Sequence, residues 1–487
     1  MTAPEATLII DLGGPDLTPQ DARWLRTHPV GGVCLFTRNI TTPERTARLI
    51  ADIRDALGRD VLIATDQEGG AVLRRLDVPP PPTPQALAEL DEAAAYRAGQ
   101  IAARGLLDLG INWNFAPSLD VNVDPLNPVI GERSFGADPH LVARLGVAWA
   151  QGSEAAGVLS AVKHYPGHGD TRVDSHEDLP VVNKSRAQLE TAEWIPFRAA
   201  ARAGLGSVMT AHILYPQLDP ARPATLSPTL LSGVLRGEWG YGGVIVTDAM
   251  DMGAIARRWP QGRAAGLALA AGADAVLVCG HGDRAVTDAH VLALREAAAS
   301  GVLDEARVDE AANRLDRATL RFPGQPRAYS VQAQREDQGA LLDWARAAVR
   351  WSGTPPRLPR DEPLLLFVPS VTPLGGPYGD HLTPAQLNDA LRPHFPHLRT
   401  VDLLDAEATE EASRDLPRAP ALLVSAGRWG VTGEARRLAS GLRGRALHLC
   451  LWNADDAGDL PLPALITHGF RPPNLRALVE ALAECSG

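Results

Sequence analysis

The chain has 487 residues, a length that fits two domains when a single barrel absorbs about 250 of them. Its 47 Lys and Arg against 58 Asp and Glu leave a formal charge of −11, so no global positive field draws it onto nucleic acid or anionic lipid. Hydrophobic residues at 45%, charged residues at 22% and a mean hydropathy of −0.09 exclude a disordered chain, and the apolar runs stop short of the roughly 18 residues that a spanning helix needs.

Short apolar runs that read as buried strands fall at 7–11, 32–36, 61–65, 111–115, 159–163, 207–210, 243–247 and 275–279. Stretches with helical spacing lie between them at 43–57, 84–109, 140–156, 186–203, 228–238 and 262–271, several opened by capping residues such as Thr42 and Ser227. Eight such alternations in about 280 residues predict an α/β fold with a (β/α)₈ barrel. A doubly wound open sheet would show the same alternation. The polar residues decide against it, because Asp66, Lys163 with His164, His212 and Asp248 end four different strands, as side chains at a barrel mouth do. Residues 1–322 are therefore expected to form a catalytic barrel.

The polar stretch 323–340 reads as a linker, and 341–487 as a smaller α/β domain with strands at 363–368, 421–425, 446–451 and 463–466. No catalytic constellation stands out there, and the Asp455-Asp456 pair reads as a solvated loop. The N-terminal segment lacks a basic region followed by a long apolar one, so the expectation is a cytoplasmic protein with no membrane association. Cys34, Cys279, Cys450 and Cys485 are scattered without CxxC pairing, which predicts reduced thiols, no disulfide and no zinc site. Only Lys163 and Lys184 of the 47 basic residues are lysines, so each invites a reason.

Chemistry concentrates after the fifth strand. Lys163 to Thr171, continuing through Asp174-Ser175-His176, crowds three histidines and two aspartates between prolines and glycines, which makes a long functional loop. The Asp174-x-His176 spacing lets a carboxylate bond one imidazole nitrogen and leave the other free to exchange a proton. The run at 243–247 delivers Asp248 at a strand end, where a carboxylate can attack an anomeric carbon; Asp251, one turn later, is its competitor. In Asp66-Gln67-Glu68-Gly69-Gly70 a strand-end carboxylate suited to sugar hydroxyls precedes two glycines that allow close approach of backbone to a ligand. Arg133 offers a fork of donors in the loop after the fourth strand.

Together these segments resemble the bacterial β-N-acetylglucosaminidases of glycoside hydrolase family 3, over residues from about 7 to 320. The resemblance rests on the 66–70 segment, Gly131-Glu132-Arg133-Ser134-Phe135, the 163–176 loop and Val246-Thr247-Asp248. It implies Asp248 as nucleophile, His176 as acid/base with Asp174 assisting, and Asp66, Arg74, Arg133, Lys163 and His164 as contacts to a terminal GlcNAc. It further implies retention of anomeric configuration, a β-GlcNAc glycoside or muropeptide as substrate in peptidoglycan recycling, and no cofactor or metal. The C-terminal third departs from relatives made of the barrel alone, and its role stays open. Three other readings stand beside this one: phosphorolysis or β-glucoside hydrolysis on the same fold, a zinc hydrolase using His164, His168, His176, Asp170 and Asp174, and a sugar-binding protein without activity.

Overall fold

The computed structural model describes residues 2–259, 262–370, 378, 381–414, 419–427, 431–442 and 446–485. Eight parallel strands follow in chain order: β1 (Leu8–Asp11), β2 (Gly32–Cys34), β3 (Leu62–Thr65), β4 (Trp113–Asn114), β5 (Leu159–Tyr165), β6 (Ser207–Thr210), β7 (Val244–Val246) and β8 (Val276–Val278). Each pairs with its neighbour, β8 pairs with β1, and Val246 bridges Ala275 just before β8, so the sheet closes as the expected barrel.

Side chains alternate along these strands. Ile9, Cys34, Leu62, Ala64, Ala161, Met209, Val246 and Leu277 fill the interior, while Leu8, Ile10, Val33, Ile63, Val162, Val208, Ile245 and Val278 pack outward against helices. Burial on both faces explains why the strands read as continuous apolar runs. Two long expected helices are broken. The 84–109 stretch forms Pro84–Leu87 and Glu92–Leu107, because Asp91 caps a fresh start, and 186–203 forms Arg186–Glu190 and Trp194–Arg202.

The expected connector is extended to residue 330 and then becomes a helix, Val331–Ala348, capped by Ser330 and packed through Leu341 and Ala345. A second sheet follows, built from β9 (Arg350–Ser352), β10 (Leu364–Val368), β11 (Leu398–Asp402), β12 (Ala421–Ser425), β13 (Ala446–Cys450) and β14 (Ala464–Ile466). Its order is β11-β10-β12-β13-β14-β9, parallel except for β9. The sequence did not expose β9 and β11, which are short or half-exposed and carry Arg, Thr and Asp in place of an apolar run. No helix among the described residues is long and apolar enough to cross a membrane.

Candidate active site

The carboxyl ends of the barrel strands surround a cavity of about 250 Å³, roughly the size of one amino sugar, lined among others by Asp66, Arg74, Arg133, Lys163, His164, His176 and Asp248. Seven of the eight residues expected at the site are thus brought to one wall-to-wall space. The eighth, Asp174, lies buried behind His176.

One side is an ion network. Lys163, at the end of β5, places Nζ 3.0 Å from Asp66 Oδ1 and 2.6 Å from Glu68 Oε1. Arg133 grips both Glu68 oxygens at 2.8 Å. Arg74 reaches Asp66 Oδ2 at 3.2 Å, while its Nη1 is buried with no hydrogen-bond partner among the described residues. A buried guanidinium with an unused donor facing a cavity is prepared for a ligand oxygen. Burial alone would raise the Glu68 carboxyl, but Arg133 and Lys163 outweigh it and hold the group well below the usual carboxylate range.

His164 leans on Asp120, whose Oδ2 is 2.7 Å from Nδ1 and whose Oδ1 accepts the backbone N–H groups of His164 and His168 at 3.1 and 2.6 Å. Burial raises Asp120, and His164 with these hydrogen bonds reverses it to about 2. His164 Nε2 lies 3.4 Å from Arg133 Nη2. His168 is bonded through both nitrogens, to Thr171 Oγ1 at 2.8 Å and Ser175 Oγ at 3.0 Å, and burial lowers its pKa to about 4. It is a neutral brace of the loop.

The loop that carries His176 is tied down along its length. Asp174 Oδ1 accepts from the His176 backbone N–H at 2.9 Å and lies 2.7 Å from Nδ1, as the spacing predicted. Gly253 N and Ala254 N donate to the carbonyls of His176 and Ser175 at 3.1 and 3.2 Å, so the dyad rests on the turn that follows Asp248. Lys184, the second lysine, pairs with Asp170 at 2.9 Å and with Glu193. At Gly169 a Cβ would stand 1.7 Å from the Val121 carbonyl, so only glycine lets the loop pass the β4 side.

Asp248 receives the Ala249 N–H at 2.8 Å. Burial raises its pKa, but His212, His164 and His176 together bring it below the ordinary value. His212 itself is locked between Thr225 Oγ1 at 2.8 Å and the Ala249 carbonyl at 2.9 Å. Asp251 also lines the cavity, and burial pushes its carboxyl up to about 6. Two carboxyls of opposite tendency thus share the cavity, Asp248 held toward ionisation and Asp251 toward the neutral acid.

Residues 9–318 match the description "Glycosyl hydrolase family 3 N terminal domain". The chain belongs to glycoside hydrolase family 3. It is a glycoside hydrolase with the expected barrel and a following α/β unit. Similar family members include the "Beta-hexosaminidase" of Alkalilimnicola ehrlichii, 40% identical over 284 residues that cover 56% of this chain and 80% of the relative. The same name is carried by a protein of Chromobacterium violaceum, 40% identical over 303 residues covering 60% and 84%. Among solved structures, a family 3 β-N-acetylglucosaminidase from Paenibacillus sp. strain FPU-7 superposes with a TM-score of 0.91 at 31% identity, covering 99% of this chain and 96% of that one.

Within this family 3 site, three sequence expectations need correction. Gly69 and Gly70 do not approach the ligand space; their φ values of +135° and +55° bring them against Pro82 and Thr83, where a Cβ would stand 2.2 and 2.3 Å from neighbouring atoms. Arg133 lines the cavity, but its Nε and Nη2 are already given to Glu68, so the fork expected for a ligand is engaged within the protein. Asp456 is buried, with a pKa raised to about 7 by burial, so the solvated-loop reading holds for the exposed Asp455 alone, whose carboxylate lies 3.4 Å from Asn122. The zinc set does not assemble, because among the described residues no three His, Cys, Asp or Glu side chains are arranged to hold a metal. Asp170 goes to Lys184 and His164 to Asp120. Sequence reasoning missed Asp120 and Glu68 as members of the site. Asp120 had a usable signal, a lone acid between Leu119 and Val121 just past β4.

Proposed function

We propose that this family 3 chain is a retaining exo-β-N-acetylglucosaminidase that removes terminal GlcNAc by double displacement. The observation that carries the reading is the His176–Asp174 pair, docked on the turn after Asp248 and sharing one sugar-sized cavity with it. In the first step His176 gives its proton to the glycosidic oxygen while Asp248 attacks C1, so that one C–O bond breaks as another forms. Water then enters, His176 takes its proton, and the glycosyl–Asp248 ester is cleaved. Asp174 fixes the imidazole tautomer.

Asp66, Arg74, Lys163 and His164, with Arg133 behind them, hold the ring hydroxyls and the acetamido group. The names of the relatives support the β-GlcNAc specificity, and a cavity sized for one sugar supports exo action. We place the machinery in residues 1–322, with 323–340 as connector and 341–487 as an accessory unit. We further propose cytoplasmic peptidoglycan fragments as the natural substrate.

The test is hydrolysis of a chromogenic β-GlcNAc glycoside beside the matching β-glucoside, with and without phosphate. A GlcNAc-selective rate independent of phosphate, falling by about 10⁴-fold in Asp248→Ala, is expected. Phosphate dependence would make it a phosphorylase, and wild-type turnover by Asp248→Ala would remove the nucleophile assignment. Loss in His176→Ala is expected to be greatest for poor leaving groups, since only they need the proton.

A further inference from the structure

Among the described residues none of the C-terminal unit lines the sugar cavity, yet the unit touches both loops that build its ion network. The residues that follow β13 and β14 meet the barrel there. Tyr378, after β10, donates its hydroxyl to the Val129 carbonyl at 3.1 Å, and the same carbonyl accepts Arg133 Nη1 at 3.1 Å. Val129 itself lines the cavity. Tyr378 is braced edge-on by Trp452 at 5.3 Å, and Trp452 lies 5.2 Å from Phe470.

The second arm follows β14. Arg471 donates Nε to the Gly70 carbonyl at 2.7 Å, and the His468 carbonyl accepts Thr83 Oγ1 at 2.7 Å. Gly70 stands two residues from Glu68, the carboxylate that Arg133 grips. Ala71 packs in the hydrophobic core of the C-terminal unit rather than that of the barrel. Between the arms, Glu132 takes the Ala71 N–H at 3.3 Å, and Asn453 and Ala454 bond the side chain of Gln85 at 3.1 and 2.9 Å.

We propose that the C-terminal unit is a clamp that sets Arg133 and Glu68 in register with the sugar, with Tyr378 and Arg471 as positioning residues. The inference rests on the glycosidase reading for its substrate. Its physical basis is separate: two loops from different strands are cross-linked through a second domain, so the Glu68–Arg133 pair keeps one geometry whether or not sugar is bound. Positioning of this kind acts on binding of the ring and leaves proton transfer and nucleophilic attack, which fall to other side chains, largely untouched.

The experiment compares full-length wild type, Tyr378→Phe and Arg471→Met by steady-state kinetics on 4-nitrophenyl β-GlcNAc and by hydrogen–deuterium exchange. Removing one hydroxyl donor is expected to raise KM roughly three- to tenfold, the scale of one hydrogen bond, with kcat within about twofold. The rise is expected to be the same for good and poor leaving groups. Exchange is expected to quicken in peptides covering 127–136 and, for Arg471→Met, 68–74, while the thermal midpoint of Tyr378→Phe stays at the wild-type value.

Unchanged KM and unchanged loop exchange in Tyr378→Phe overturn the clamp. So does faster exchange spread evenly over the barrel, which would mark general destabilisation. If wild type hydrolyses neither glycoside, the functional reading fails, and loop exchange alone then decides the clamp. Tyr378→Phe keeps the ring packed on Trp452, so the test stands even if Arg471→Met does not fold.

Discussion

Replacing Glu68 by Gln tests the ion network most directly. The side chain is 1% exposed and takes two hydrogen bonds from Arg133 at 2.8 Å and one from Lys163 at 2.6 Å. An amide keeps the shape but turns an N–H₂ toward a cation. Lys163 retains Asp66 at 3.0 Å, whereas Arg133 loses its carboxylate and keeps the Val129 carbonyl at 3.1 Å. Breaking one partner out of a buried pair costs about 3–5 kcal/mol, and the remaining Asp66 contact places the expected loss near ~4 kcal/mol at pH 7. Urea unfolding followed by circular dichroism measures it, and KM for the β-GlcNAc glycoside is expected to rise at least tenfold.

The pH dependence supplies a second check on the same variant. The folded-state pKa of Glu68 is depressed, so its stabilisation is present above the unfolded value of 4.5 and is lost as pH falls below it. The gap between wild type and Glu68→Gln should therefore be full at pH 7 and shrink from about pH 5 downward. A loss under about 1 kcal/mol at pH 7 with unchanged KM would show that Arg133 and Lys163 do not depend on this carboxylate.

Two further outcomes follow from the neighbours of that network. Asp120→Asn preserves an acceptor for the backbone N–H groups of His164 and His168 but not the charge opposite His164 Nδ1, so kcat/KM on the β-GlcNAc glycoside is expected to fall by about 10–100-fold, with a lowered thermal midpoint at pH 7. A fall of less than twofold would detach Asp120 from the site. Glu132 is raised to about 8 by burial, so its stabilisation is whole below the unfolded value of 4.5 and is lost as pH rises to about 8. Glu132→Gln, which cannot ionise, is expected to match wild type near pH 5 and to exceed it by a few kcal/mol at pH 8.5, read from unfolding midpoints. Parallel pH profiles would refute the raised value.

The barrel was legible because strands buried on both faces leave unbroken apolar runs, and because each run ends where a polar residue must face the mouth. The dyad was legible for a local reason: Asp174 and His176 meet within two residues, so spacing alone predicts the 2.7 Å contact. Glu68 lay inside the quoted segment but pairs with Arg133, 65 residues away, and a single sequence does not reveal a partner at that distance. The glycine pair misled for the same reason, since Pro82 and Thr83 press on it only after the chain has folded back. Tyr378 carries no local sign of its role, because Val129 is 249 residues earlier.

The charges of the cavity give a physical reason for an imidazole where a second carboxylate could stand. Asp66, Glu68, Asp120 and Asp248 are set against Arg74, Arg133 and Lys163 around one small space, and Asp251 already resists ionisation there. Another acid opposite Asp248 would add like charge and raise the nucleophile's pKa, whereas a histidinium lowers it, as His176 does together with His212 and His164. In the proposed mechanism the proton donor thus also keeps the nucleophile ionised in the step that needs both. On the same proposal that donor comes from a loop of the barrel, so no proton is asked of the second domain, and the clamp proposed for it rests on its contacts with Val129 and Gly70.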